Sequence, residues 1–221
     1  MMLTGRLRAR SLGGVELAAE ANLNANTVSL ILSNGLTCVL GLLFWGVAAR
    51  IFPAGDVGVA AALINSALML STLSLLSIDR FYERFLPIAG HRTGDLLTRG
   101  FLIAAAVAMG GGILLIVFGP RQALFSSTWV MVAYPLFVAV TAIFILQDKA
   151  LAGLGVARWA AAKNSVLAIG KFLALLAAAY LAGAGALAGS AAASTVIVAS
   201  WGVTATVIAA YVFVLLHRRC R

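Results

Sequence analysis

The sequence predicts an all-α, polytopic membrane protein with six transmembrane helices and both termini in the cytoplasm. Three observations carry this expectation. Of the 221 residues, 62% are hydrophobic and only 10% are charged, whereas a soluble domain carries about 25% charged residues. Apart from Lys171, charges are confined to the tails and to segments between long uncharged runs. Val28 to Ala49 and Val57 to Ile78 each hold 22 residues without a charge, and a bilayer core needs roughly 20. Finally, the basic residues fall almost entirely in alternate connecting segments, the pattern that orients spans in a membrane.

Residues 1–26 hold Arg6, Arg8 and Arg10, then Glu16 and Glu20 among Leu12, Val15, Leu17 and Leu23, and read as a cytoplasmic or interfacial tail. No small-residue cleavage site follows a short apolar core, so the first helix is expected to be retained rather than removed as a signal peptide. The expected spans are 27–50, 55–78, 101–118, 129–147, 164–182 and 190–216, followed by a basic tail at 217–221.

The stretch Leu43 to Pro87 reads as a membrane hairpin around which the chain is organised. Its first run closes at Arg50, Pro53, Gly55 and Asp56 supply a turn, and the second run stops at Asp79-Arg80. Asp79 to Gly100 and Asp148 to Lys163 carry enough charge to be solvated connectors. Gly110-Gly111-Gly112 weakens the third helix but permits close approach of a neighbour in lipid, and Pro135 is expected to kink the fourth. From Phe172 to Leu216 there is no charge for 45 residues, too long for one span at about 1.5 Å per residue. The break falls at Gly183, Gly185 and Gly189.

With the N-terminus cytoplasmic, Arg6, Arg8, Arg10, Arg80, Arg84, Arg92, Arg99, Lys149, Arg158, Lys163, Arg218, Arg219 and Arg221 all lie inside, and Arg50 and Arg121 outside. The net charge of +9 is therefore a topology signal and an attraction for anionic lipid headgroups, and nucleic acid is not an expected partner. Cys38 is mid-helix and Cys220 is in the tail, a placement that argues against a structural disulfide.

Lys171 is the residue that periodicity does not explain. It sits eight positions past Lys163, about 12 Å deeper along a helix. A charge near mid-membrane costs at least about 2.5–3.5 kcal/mol, so it either faces a wet cavity or a partner, or snorkels to the headgroups. Arg50 either lines the outer exit of such a cavity or anchors the first helix at the interface. Asn34 and Asn65, with Ser33, Ser66, Ser71 and Ser74, either hydrogen-bond across the hairpin or contact a sugar. The four tryptophans, Trp45, Trp129, Trp159 and Trp201, read mostly as interfacial belts. Asp79 and Asp148 are expected to pair in solvent with neighbouring basic residues.

An enzyme is not expected. All seven acidic residues lie in tails, connectors or span ends, so carboxylate chemistry within the bilayer has no carrier. His91 and His217 are both in cytoplasmic segments. Gly170-Lys171-Phe172 is not a P-loop, since no Ser or Thr follows the lysine, and no ATP, metal or other cofactor is implied.

Two stretches resemble a known family. Arg50-Ile-Phe-Pro-x-x-x-Val-Gly58, followed by a helix closing in Asp79-Arg80-Phe-x-x-Arg84-Phe-Leu-Pro87, is similar to the first hairpin of polysaccharide-exporting flippases. These belong to the multidrug/oligosaccharidyl-lipid/polysaccharide exporter superfamily. Gln147-Asp148-Lys-Ala-Leu-Ala-Gly153-Leu-Gly155, then Arg158-Trp159, Lys163-Asn164 and Lys171, resembles the connector between helices 4 and 5 of the same exporters. The resemblance covers some 75 residues in two spaced matches. It implies an N-terminal six-helix lobe in the bacterial cytoplasmic membrane and a polyprenyl-pyrophosphate-linked oligosaccharide as substrate, with Lys171 as the cationic contact. The lack of a buried carboxylate favours the polysaccharide branch over the cation-coupled multidrug branch.

That family usually has 12 to 14 helices in two lobes, and one lobe cannot rock against itself. Six helices therefore imply a homodimer, a separate second half, or a scaffold or remnant that does not transport. Six spans with both ends inside permit a dimer about an axis along the membrane normal.

Overall fold

The computed structural model describes residues 28, 31–32, 34–125, 127–183 and 193–219. The expectations for the tail 1–26, Ser33, the break at Gly185 and Gly189, Cys220 and Arg221 lie outside the described residues. Regular structure among the described residues is entirely helical. The elements are α1 (Asn34–Ile51), α2 (Ala54–Ser74), α3 (Ile78–Phe85), α4 (Thr93–Phe118), α5 (Arg121–Leu124), α6 (Thr128–Gly153), α7 (Ala157–Gly183) and α8 (Ala193–Arg219). Among these, α1, α2, α4, α6, α7 and α8 are long and apolar enough to cross a membrane. The chain is an all-α, six-span bundle.

Helix boundaries depart from the expected ones where charge misleads. The second helix ends at Ser74, not Ile78, because Leu76 and Ser77 take left-handed backbone angles (φ 46° and 65°) that break the helix and start α3. The expected solvated connector 79–100 is largely helical: α3 fills its first part, and α4 begins at Thr93, eight residues ahead of the expected Phe101. Likewise 148–163 is not a loop. α6 continues past Gln147 to Gly153, Gly155 turns at φ +72°, and α7 starts at Ala157. Charged first and last turns are still helical, because backbone hydrogen bonding does not depend on the polarity of the side chains outside.

The bundle is organised around α6 rather than the α1–α2 hairpin. α6 packs against α2, α3, α4, α7 and α8, and it holds the largest buried share of any span. Pro135 lies inside α6 without ending it. Gly112 of α4 meets it there, for a Cβ on Gly112 would stand 2.8 Å from the Pro135 Cα. Gly111 faces Leu70 of α2, and Gly110 borders open space. The triplet thus packs the bundle itself through Gly111 and Gly112. Two of the three α2 serines, Ser66 and Ser71, turn to α6, while Ser74 Oγ donates to the Leu70 carbonyl of its own helix. Ser71 Oγ donates to the Val138 carbonyl at 2.9 Å, and Ser66 Oγ lies 2.7 Å from the Tyr134 hydroxyl.

One end of the bundle is basic. The end of α6, the start of α7, α3 and the end of α8 meet there, and Arg80, Arg84, Lys149, Arg158 and Arg218 are gathered with them. α3 is fixed to this end by Tyr82, which is fully buried and donates its hydroxyl to the Leu97 carbonyl at 2.8 Å. Burial pushes this phenol well above its ordinary range, so it stays protonated as a donor. The second tie is Glu83, whose Oε1 accepts from Lys149 Nζ at 2.8 Å. That hydrogen bond, with the nearby charges of Lys149 and Arg80, holds the Glu83 carboxyl below its ordinary value of 4.5. A lowered carboxylate contributes stability that is complete above 4.5 and is lost as pH falls through the folded-state value. Thermal melting in detergent should therefore fall as pH drops below 4.5, and Glu83→Gln should flatten that part of the profile. An unchanged profile in the variant would remove Glu83 as a tie.

Candidate functional site

Two buried polar clusters lie in the membrane part of the bundle, and both involve α7. The first is the aromatic cradle of Lys171. α7 starts at Ala157, so Lys171 stands about 21 Å along it, near the middle of a core about 30 Å thick. Its exposure is 7%, so the long side chain does not snorkel out along the lipid face. It points instead into the bundle. Its ammonium lies 4.0 Å from the Trp201 ring centroid of α8 and 5.4 Å from that of Phe44 in α1. Phe44 and Trp201 themselves meet edge to face at 6.4 Å. Small residues allow the approach of these helices: a Cβ on Gly170 would stand 2.7 Å from Thr204 of α8.

Among the described residues no carboxylate pairs with Lys171. Aromatic faces attract a cation through their quadrupole, by about 2 kcal/mol or more when desolvated, but they do not cancel its charge. An uncompensated cation held in this way can still take an anion.

The second cluster lies about two turns nearer the basic end. Lys163 is 4% exposed, and its Nζ makes an ion pair with Asp148 Oδ1 at 2.8 Å. The same ammonium donates to the Phe144 carbonyl and sits 3.5 Å from the Phe144 ring centroid. Asn164 Nδ2 donates to the other carboxylate oxygen, Asp148 Oδ2, at 3.1 Å. Next to it, Gln147 is fully buried and donates its Nε2 to the Ala209 carbonyl of α8 at 2.8 Å, while its Oε1 has no partner among the described residues. Gln147, Asp148, Lys163 and Asn164 thus tie α6 to α7 and α8. The expectation of solvated pairing for Asp148 is corrected: its partner is the interior lysine of the next helix.

The other expected site residues are not brought to either cluster. Asn34, Asn65 and Arg50 are exposed, the last at the end of α1 remote from the basic end. Arg80 and Arg84 are exposed on α3, where Arg80 reaches Glu83 and Arg84 lies over the Phe85 ring. Gly153, the last residue of α6, packs against the Tyr82 carbonyl. Sequence reasoning missed Phe44 and Trp201 as partners of Lys171, and Trp201 lies in the body of α8 rather than at an interface. It also missed the burial of Lys163.

No family model, curated protein or solved structure matches the chain. Its chemistry therefore has to be read from these clusters. Among the described residues no group of three or more His, Cys, Asp or Glu side chains is placed to hold a metal ion. The arrangement offers a fixed cation in an apolar, aromatic setting, suited to binding an anionic group.

Proposed function

We propose that the chain is one lobe of a flippase that moves a polyprenyl-pyrophosphate-linked oligosaccharide across the bacterial cytoplasmic membrane, completed by a second copy or a second half. The observation that carries the reading is Lys171: a cation in mid-span, 7% exposed, cradled by Trp201 and Phe44 and facing no carboxylate among the described residues. A lysine whose only task was anchoring would reach the headgroups. A lysine whose task was packing would gain more from a neighbouring acid, as Lys163 does. A pyrophosphate diester carries two negative charges, and Lys171 would meet one of them.

The basic end then faces the cytoplasm, and the substrate enters with its phosphates drawn to that side. Arg50, Asn34 and Asn65, exposed on α1 and α2, would meet the sugar or the second lobe only after assembly. Transport by a dimer follows from the lobe count, since alternating access needs two bodies to rock.

The test is transport of a lipid-linked oligosaccharide in proteoliposomes. Lys171→Ala should lower the rate by about tenfold or more, the usual worth of a charged hydrogen bond to a desolvated anion, in a protein that still folds. Lys171→Arg should keep part of the rate. The active species should have a mass near twice 22.8 kDa or contain a second membrane chain. Circular dichroism and monodisperse elution show that Lys171→Ala is folded even where its melting point shifts, and wild-type transport by that folded protein would sink the assignment. A monomer that binds other assembly components without moving the lipid would make the chain a scaffold.

A further inference from the structure

We infer that the groove between α7 and α8 at the basic end is a binding site for an anionic phospholipid, with one acyl chain in the groove and the phosphate at Arg218. The groove has a volume of ≈ 500 Å³, within the range of small-molecule pockets. Its walls are almost wholly apolar, among them Leu154, Val156, Val207 and Leu215.

The length of the groove suits an acyl chain. Its lining runs along α8 from Val207 to Arg218, which at 1.5 Å per residue is about 16 Å. Half of a hydrocarbon core about 30 Å thick is the depth of one leaflet. A chain lying from the interface to the end of the groove would thus span its own leaflet and no more. That fits a phospholipid and not a polyprenol, whose chain is far longer than one leaflet.

The charge of the mouth selects the headgroup. The two charged residues lining the groove are Lys163 and Arg218, both basic. The Lys163 ammonium is already taken by Asp148 and the Phe144 carbonyl. Arg218 is exposed in the last turns of α8, and among the described residues it has no acidic partner. Trp159, 47% exposed, lies on the facing helix in the first turn of α7, where an amphipathic ring sits at headgroup level. A planar guanidinium takes a phosphate through two parallel hydrogen bonds.

Native mass spectrometry of the purified chain, titrated with phosphatidylglycerol or phosphatidylcholine of matched acyl chains, tests this site. The wild type should hold one phosphatidylglycerol about fivefold more tightly than phosphatidylcholine, the worth of one basic residue at an anionic lipid. Arg218→Gln should erase the preference while leaving the neutral lipid bound. Ala162→Phe, which adds bulk at an exposed lining position, should weaken both lipids. Circular dichroism confirms folding of each variant. The inference is overturned if Arg218→Gln keeps the preference, if Ala162→Phe leaves occupancy unchanged, or if a polyprenyl phosphate displaces the phospholipid at equal concentration.

Discussion

Asp148→Ala should destabilise the bundle by about 3 kcal/mol, and adding Lys163→Met should restore most of that loss. Breaking a buried ion pair by removing one partner costs about 3–5 kcal/mol, because the remaining charge is left without compensation. Here the remaining charge is deeply placed: the Lys163 side chain is 1% exposed, against 27% for Asp148. The partial exposure of Asp148 argues for the lower end of the range. In the single variant the ammonium would keep only the Phe144 carbonyl and ring, which solvate it partly and neutralise none of it. Replacing both partners removes the problem at its source, since well-packed apolar residues in place of a buried pair are neutral or stabilising. The lysine alone, changed to methionine, should cost less than the aspartate alone, because Asp148 can still reach water and Asn164. Chemical or thermal unfolding in a fixed detergent reads all three. A double variant no more stable than Asp148→Ala would mean that the carboxylate acts through Asn164 and the α6–α7 turn, not through the lysine.

The same pair shows where the sequence was legible and where it was not. Six spans could be counted because lipid demands long uncharged runs, and such runs are a property of the sequence itself. Their ends could not be placed, because a helix continues through charged residues whether they are covered, as Lys163 is, or exposed, as Asp95 and Arg99 are. Asp148, Lys149 and Lys163 together look like a solvated connector, yet they lie on two packed helices, and only the packing puts Lys163 inside. Lys171 stood out because a charge amid an apolar run is conspicuous. Its partners did not stand out, because Phe44 and Trp201 are ordinary aromatic residues of apolar helices until α1 and α8 are brought against α7. Hydrophobic patterning fixes which elements enter the membrane; it does not say which faces meet.

Gly153→Ala should destabilise the protein by about 1–3 kcal/mol in a way that no change at the Tyr82 side chain relieves, whereas Gly100→Ala should be partly relieved by Tyr82→Phe. Both glycines close on Tyr82, but on different atoms. A Cβ at Gly100 of α4 would collide with the Tyr82 hydroxyl and stand 2.7 Å from its Cζ; one at Gly153 of α6 would stand 2.6 Å from the Tyr82 backbone oxygen. Overpacking of this kind costs about 1–3 kcal/mol. A ring tip can shift if its hydroxyl is removed, but at the price of the hydrogen bond to the Leu97 carbonyl, worth about 1 kcal/mol. The Gly100→Ala/Tyr82→Phe double variant should therefore recover only part of the loss. A backbone carbonyl held by helix α3 has no such freedom, so the α3–α6 contact must open. The unfolding energies of the two single and two double variants, including Gly153→Ala/Tyr82→Phe, decide the matter. Equal rescue of both glycine variants would mean that Tyr82 is not wedged between α4 and α6, and α3 would then be held to the bundle by the Glu83–Lys149 pair and the apolar packing of Ile78.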